Sequence, residues 1–374
     1  MQLTAKVKLQ PTDAQAADLK RTLEVANAAC NQISDVAWAT RTFGKFQLQK
    51  LVYRDVRARF GLTAQVVIRC IAKVTDAYKL DRSTRRTFKP LGSIAYDARI
   101  LSWKLDAQEV SIWTVDGRQK LPFVCHPRAI ELLSGERGES DLCLIDGEFY
   151  LFTSCEVAEP APADVQDFLG VDLGIKNIAG DSDGHLYAGK QVNGLRYRHA
   201  RLRQKLQRKG THATRRLLKK RRRTEARFAR QENHRIAKEL VGRAKDTGRG
   251  IALENLKGIR DRVTVRKAQR RQHSSWAFND LRQKIEYKAR LAGVPVVCVD
   301  PHNTSRTCPV CGCIDKRNRP KQSTFSCVSC GHSAHADTNA AENIRRAAVN
   351  QPHIPTPPRV NESTVVRQGK AHRL

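Results

Sequence analysis

No apolar run in the 374-residue chain approaches the roughly 18 residues that a membrane-spanning helix needs. With 28% charged residues, the composition excludes a membrane protein. The stretch from Met1 to Pro11 alternates polar and apolar residues and lacks the apolar core of a signal peptide, so the chain is expected in the cytoplasm. The cysteines do not come in an even number: there are eleven, which in a cytoplasmic chain argues against a disulfide framework. Acidic side chains are scarce, 37 against 68 Lys and Arg, and the deficit is local. Residues 1–165 hold 23 basic and 20 acidic side chains, net +3, whereas residues 166–374 hold 45 and 17, net +28. A field of that size and asymmetry selects a polyanion, and nucleic acid is the expected one.

The chain divides by pattern. Residues 2–9 alternate and predict a strand. Thr12 and Gln15 then form a capping box for a long helix whose apolar stripe runs through Leu19, Leu23, Ala26, Cys30, Ile33 and Ala37. Residues 47–80 are expected to be helical as well, giving a helical unit over 12–83. Residues 84–158 change to short β-rich runs, with Asp116-Gly117 and Asp146-Gly147 placed as hairpin turns. The helical unit is therefore expected to interrupt a small β-barrel formed by 1–11 and 84–165. Glu159 to Ala163, rich in proline and alanine, reads as a linker.

From Gln166 onward, strand-like FLGVDLGIKNIAG is followed by a short strand at His185–Tyr187 and a basic helical region over 196–245. Buried strands are predicted at 251–255 and 294–300, and helices at 275–292 and 338–349. This order points to an α/β layer on a mixed sheet. The segment 351–374 reads as a disordered basic tail.

Cys308-x2-Cys311-x15-Cys327-x2-Cys330 is the sharpest local pattern. Each Cys-x-x-Cys pair is followed by a glycine, Gly312 or Gly331, and the spacing fits a zinc ribbon of four thiolates with no ligand position left for water. The expected role of that Zn²⁺ is structural. Cys30, Cys70, Cys125, Cys143, Cys155, Cys298 and Cys313 read as ordinary thiols.

Three carboxylates stand at the ends of predicted elements in an otherwise cationic region: Asp172 in VDLG, Glu254 in LEN, and Asp337 before a helix. Taken singly, each is an ordinary turn, surface or cap residue. Together they suggest a convergent site of hard oxygen ligands, suited to Mg²⁺ or Mn²⁺. Two such ions can clamp a scissile phosphate.

A third feature is cationic. Arg196 to Arg230 contains sixteen Lys and Arg against one acid, Glu225, and includes Lys219, Lys220, Arg221, Arg222 and Arg223. Charges nearly all of one sign fit contact with a phosphate backbone better than a solvated face. Basic residues of Arg260–Arg271 extend the set, while Trp276 and Phe278, at helical spacing from Leu281 and Ile285, read as core.

GVDLGIKNIA, LENLKGIR, the two Cys-x-x-Cys pairs and HADTNAAENI occur in that order. They closely resemble the three nuclease motifs and zinc insert of the transposon-encoded OrfB-type TnpB proteins, which are related to the compact type V CRISPR effectors. The resemblance is specific over 168–346 and weaker over 1–165. It implies an α/β RNase H-like (RuvC) nuclease at 166–300 and 336–350, a zinc-ribbon insert at 301–335, and an N-terminal wedge β-barrel interrupted by a helical recognition unit. It assigns Asp172, Glu254 and Asp337 as catalytic Mg²⁺ ligands and Cys308, Cys311, Cys327 and Cys330 as zinc ligands. The implied activity is RNA-guided DNA cleavage leaving a 3′-hydroxyl and a 5′-phosphate, with guide RNA and target DNA as partners and a nucleoid-associated location. A DDE-type transposase would carry Glu last, against the order Asp, Glu, Asp found here. A nuclease-inactive RNA-guided regulator is expected to lose an acid, and all three are present. A plain zinc-ribbon RNA-binding protein leaves the carboxylates unexplained.

Overall fold

The computed structural model describes residues 1–221, 223–256 and 278–350. They form two compact units, Met1–Ala158 and the chain from Glu159 onward. The division falls before the expected boundary at 165/166. The stretch expected as a linker is held in the second unit: Ala163 N–H donates to Gly293 O at 2.9 Å.

In the first unit, β1 (Gln2–Leu9) is followed by α1 (Asp13–Ala39), α2 (Lys45–Phe60) and α3 (Ala64–Leu80). The capping box is present, with Thr12 N–H donating to Gln15 Oε1 at 3.1 Å and Gln15 N–H to Thr12 Oγ1 at 3.4 Å. Strands β2 (Ile94–Tyr96), β3 (Leu101–Lys104), β4 (Glu109–Thr114), β5 (Gly117–Cys125), β6 (Arg137–Ile145) and β7 (Glu148–Glu156) complete a seven-stranded sheet in the order β2-β6-β7-β1-β5-β4-β3. Alternation places Ala5, Val7 and Leu9 of β1 in the core, and β1 pairs antiparallel with both β5 and β7. The edge strands β2 and β3 are consecutive in the chain, and Tyr96 Oη donates to Trp113 O of β4 at 3.1 Å. The sheet therefore curls until its two edges approach each other. Asp146 (φ 53°) and Gly147 (φ 88°) make the β6–β7 turn, both in the left-handed region that a two-residue hairpin favours. A short helix, α4 (Pro127–Ser134), sits within the stretch expected to be β-rich, opened by Pro127 and capped by His126.

The second unit holds β8 (Phe168–Asp172), β9 (Asn177–Asp181), β10 (Leu186–Ala188), α5 (Lys190–Lys209), α6 (His212–Arg221), α7 (Thr224–Asp246) and β11 (Gly250–Glu254). After them come α8 (Phe278–Ala292), β12 (Val296–Val299), β13 (Thr324–Ser326), β14 (Ser333–His335) and α9 (Ala336–Val349). The main sheet runs β10-β9-β8-β11-β12. β8, β11 and β12 are parallel, while β9 and β10 are antiparallel additions. Parallel strands are buried on both faces. Leu169, Val171, Ile251 and Leu253 pack with Ile236 and Leu240 of α7 and Ile285 of α8. Phe168, Ala252 and Val299 pack on the other face with Ile344 and Ala348 of α9. The basic helical region expected over 196–245 consists of three helices, beginning at Lys190, and Gly210 (φ 64°) ends the first of them. Among the described residues, no helix is long and apolar enough to cross a membrane.

α9 lies unusually close to the sheet, and two glycines permit it. A Cβ at Gly170 of β8 would overlap the Ala341 carbonyl, and one at Gly180 of β9 would meet Asp337 Cβ at 3.1 Å. Gly170→Ala is therefore expected to destabilise the protein by roughly 1–3 kcal/mol, the usual cost of overpacking. Denaturant unfolding checks it, and an unchanged midpoint would show that α9 yields freely.

Candidate functional site

Asp172 ends β8 and Glu254 ends the neighbouring parallel β11, where Leu253 pairs with Val171. Both carboxylates therefore leave the sheet at the same, carboxyl-terminal edge. Asp337, in the first turn of α9, is brought beside them by the close approach at Gly170 and Gly180. The structure thus gathers the three acids picked out by sequence. Burial, then the Glu254 and Asp337 carboxylates, push Asp172 up to about 8. Burial also raises Glu254, opposed by a hydrogen bond from Thr304 and by Arg319.

Their surroundings differ from those of a carboxylate that serves only the fold. Asp181, fully buried at the end of β9, is neutralised by Arg243 at 3.1 Å and takes N–H groups of Asp183 and His185 at 3.1 and 2.8 Å. Among the described residues Asp172 forms no ion pair of this kind; Arg319 and the Leu173 N–H oppose its upward shift only in part. A recess of like charges in a strongly cationic protein is costly to maintain without a counter-ion. The donor set, three carboxylates at one strand edge, fits hard divalent cations. Among the described residues the carboxylate oxygens do not all come within 4.8 Å of one another, as the four thiols do. Glu254 and Asp337 are each hydrogen-bonded to a polar side chain.

Those partners were not picked out by sequence. Thr304 Oγ1 donates to Glu254 Oε1 at 2.5 Å, and Asn177 Nδ2 donates to Asp337 Oδ2 at 2.8 Å. Arg319 Nη2 stands 3.8 Å from Asp337 Oδ1 and lowers Asp172 and Glu254 electrostatically. Asn177 lies within the GVDLGIKNIA run, five residues after Asp172, which offered a signal. Arg319 lies among Lys316, Arg317 and Lys321 and looks in sequence like any other surface charge.

The four predicted cysteines converge. Their sulfur atoms all lie within 4.8 Å of one another, with Cys308–Cys330 at 3.6 Å and Cys311–Cys327 at 3.5 Å. A tetrahedral zinc with Zn–S bonds of about 2.3 Å would set sulfurs roughly 3.8 Å apart, so the set can hold a metal such as zinc. Fully buried Asn318 joins the two halves: its Nδ2 donates to Arg306 O (2.9 Å) and Cys313 O (3.1 Å), and its Oδ1 accepts from Val328 N–H (2.9 Å).

Lys219, Lys220 and Arg221 are exposed on α6, a helix with no buried residue, and Arg223 is the exposed N-cap residue of α7. Arg222, the basic residues of Arg260–Arg271, Trp276 and the tail 351–374 lie outside the described residues. Phe278 packs partly buried beside Leu281 and Ile285, as a core residue. On α5, Arg196 and Arg203 pair with Glu225 at 3.8 and 3.7 Å.

Two families match the second part of the chain. Residues 152–259, which contain Asp172 and Glu254, match OrfB_IS605, described as a probable transposase. Residues 278–344, which contain the four cysteines and Asp337, match the Cas12f1-like TNB domain. The CRISPR-associated endodeoxyribonuclease Cas12f1 of Sulfoacidibacillus thermotolerans is 44% identical over 120 residues, 32% of this chain and 27% of that one. The TnpB-like protein MJ0751 of Methanocaldococcus jannaschii is 29% identical over 195 residues, 49% of this chain and 69% of that one. The putative RNA-guided DNA endonuclease InsQ of Escherichia coli is 40% identical over 68 residues, 18% and 17% of the two chains. The matched stretches span about a quarter of the length of the Cas12f relatives. Among solved structures, a Cas12f1–sgRNA–target DNA complex superposes with a TM-score of 0.62 at 16% identity, over 89% of this chain and 83% of that one. The fold is thus Cas12-like. Over its second part the chain is similar to TnpB-type proteins and to the type V effectors.

Proposed function

We propose that this protein is an RNA-guided DNA endonuclease whose second unit is an RNase H-like (RuvC) nuclease acting through Asp172, Glu254 and Asp337. The observation that carries the reading is that Asp172 and Glu254, at neighbouring strand ends, and Asp337, at the start of α9, are brought together, with no ion pair to Asp172 among the described residues. Relatives named as endodeoxyribonucleases and as an RNA-guided endonuclease support it. Divalent cations, Mg²⁺ or Mn²⁺, supply an activated water and offset charge on the leaving oxygen when bound. The chain's own part is to hold them. Glu254 is aimed by Thr304, Asp337 by Asn177, and Arg319 adds a positive charge beside the carboxylates.

In this reading residues 1–11 and 84–165 are the wedge barrel and 12–83 the recognition helices. Residues 166–300 and 336–350 are the nuclease, and 301–335 the zinc ribbon, where Cys308, Cys311, Cys327 and Cys330 hold Zn²⁺. A guide RNA reads sequence by pairing, while the protein holds the heteroduplex by shape and charge. The exposed cations of α6 supply part of that grip. Replacing Lys219, Lys220 and Arg221 with glutamine is expected to flatten the salt dependence of nucleic-acid binding, by up to about 0.9 in the log–log slope per lost duplex contact. An unchanged slope would remove α6 from the interface.

Arg319→Ala is expected to lower cleavage by roughly 10–100-fold, the scale of losing an outer partner of metal ligands. Guided binding, followed by gel shift, should be little changed. Cleavage at the unmodified rate would make Arg319 a surface charge. The reading as a whole is tested by sequencing the RNA that co-purifies with the protein and assaying a duplex that matches it. Absence of a defined RNA would favour a plain zinc-ribbon RNA-binding protein, and guided binding without cleavage would favour a regulator.

A further inference from the structure

Thr304 lies on the loop between β12 and the first zinc-ribbon cysteine and is almost wholly buried. Its hydroxyl donates to Glu254 Oε1 at 2.5 Å, across fifty positions of sequence. The same Oγ1 lies 3.2 Å from Pro301 O. The backbone of this loop is pinned from α9. Asn343 Nδ2 donates to the carbonyls of Thr304 (2.8 Å) and Thr307 (2.7 Å), and Asn339 Nδ2 donates to Thr307 O at 3.1 Å. Asn339 and Asn343 are one helical turn apart and both buried, so they form one face of α9 dedicated to this loop. Asp337 belongs to the first turn of the same helix.

We propose that Thr304 is a positioning residue for Glu254: its hydroxyl fixes the orientation in which that carboxylate meets a divalent cation, and Asn343 of α9 holds the hydroxyl in place. This rests on the reading of the three carboxylates as a metal site. The physical argument concerns which oxygen is left free. A carboxylate has two oxygens and several lone pairs. Engaging Oε1 with a buried neutral donor stops the side chain from turning, without adding a positive charge that would compete with the metal. A lysine or arginine in this place would fix the carboxylate equally well but would occupy it as an ion pair. The hydroxyl is donated from a loop clamped to the helix that carries Asp337. Glu254 and Asp337 are therefore registered to each other through α9 as well as through the sheet. The loop leads within four residues to Cys308, so the start of the zinc ribbon is tied to the carboxylate site at this point.

The test is direct Mn²⁺ binding to the full chain with its co-purified RNA, followed by the electron paramagnetic resonance signal of free Mn²⁺. Variants are Thr304→Val, which keeps shape and removes the donor, and Thr304→Ser, which keeps the donor. Glu254→Gln defines the binding that belongs to the site. Zinc content and melting temperature report whether the loop remains folded. Thr304→Val is expected to weaken the Glu254-dependent Mn²⁺ binding about tenfold or more, the effect typical of removing an outer partner of a ligand. Thr304→Ser should restore it to within about twofold. Where Thr304→Val fails to fold, Thr304→Ala carries the same expectation without placing a methyl group beside the carboxylate. Equal Mn²⁺ affinity in the folded valine and wild-type proteins would overturn the positioning role while leaving the metal site standing. Wild-type protein with no Mn²⁺ binding sensitive to Glu254→Gln would overturn the metal site and the role of Thr304 with it.

Discussion

Asp172→Ala, Glu254→Ala and Asp337→Ala are each expected to lower DNA cleavage by at least about a thousandfold, the scale on which members of a unit that acts together fail when one is removed. The expectation follows from the geometry. Asp172 and Glu254 leave adjacent parallel strands at one edge, and Asp337 reaches them from α9. Each comes from a different element, so no remaining acid can take over the position of the missing one. Double and triple variants should be no worse than the singles, because the first loss already disables the unit. Guided DNA binding should persist, since it depends on pairing and on phosphate contacts to basic helices. Parallel measurement of cutting and binding checks this. Additive losses would show that the three acids act separately.

The second large effect is expected at the zinc ribbon. Cys308→Ser or Cys327→Ser should abolish stoichiometric zinc and unfold residues 301–335 locally, because this segment has little other core: Cys308, Phe325 and Cys327 are its buried apolar cluster, with Cys313 packed against it. A structural zinc contributes folding free energy outright. Cleavage should fall as well, although the four thiols form a group separate from the carboxylates. Arg319 follows directly on Asn318, the residue that joins the two halves of the ribbon, and Thr304 precedes Cys308 on the entering loop. Losing the zinc therefore releases both groups that lean on Glu254 and Asp337. Metal analysis with zinc-dependent proteolysis of this segment checks the first part, and cleavage by the variants the second. Fully active, protease-resistant protein without zinc would refute both.

The readable parts of this protein are those in which local chemistry decides the outcome. The alternation of residues 2–9 puts Ala5, Val7 and Leu9 inside, and Thr12 with Gln15 starts α1 where the capping box places it. The Asp-Gly pairs sit at hairpin turns because those conformations suit few other residues. The thiol spacing brings four sulfurs together because two short knuckles fold on themselves. α4 escaped notice because an eight-residue helix among strands carries too short a period to stand out. The split of the basic region into α5, α6 and α7 was hidden by uniform charge, which masks the periodicity that would mark each helix. The acids were legible as strand-end and helix-start residues. The groups that aim them were not: Thr304 meets Glu254 across fifty positions and Asn177 meets Asp337 across 160. Such contacts are products of topology, namely α9 crossing a glycine-lined sheet; the GVDLGIKNIA run marks Asn177 but not the carboxylate it meets.

The central claim is that a guide RNA directs this site to cut DNA with divalent cations held by the three acids. Its most direct test is cleavage of a duplex matching the co-purified RNA, with Mg²⁺ and with EDTA, by wild-type and Asp337→Ala proteins carrying the same RNA. The account predicts cutting by the wild type with Mg²⁺ alone, none with EDTA, none of a mismatched duplex, and none by Asp337→Ala although it still binds the matched DNA. Cutting by Asp337→Ala at the wild-type rate, or cutting by the wild type in EDTA, would contradict it.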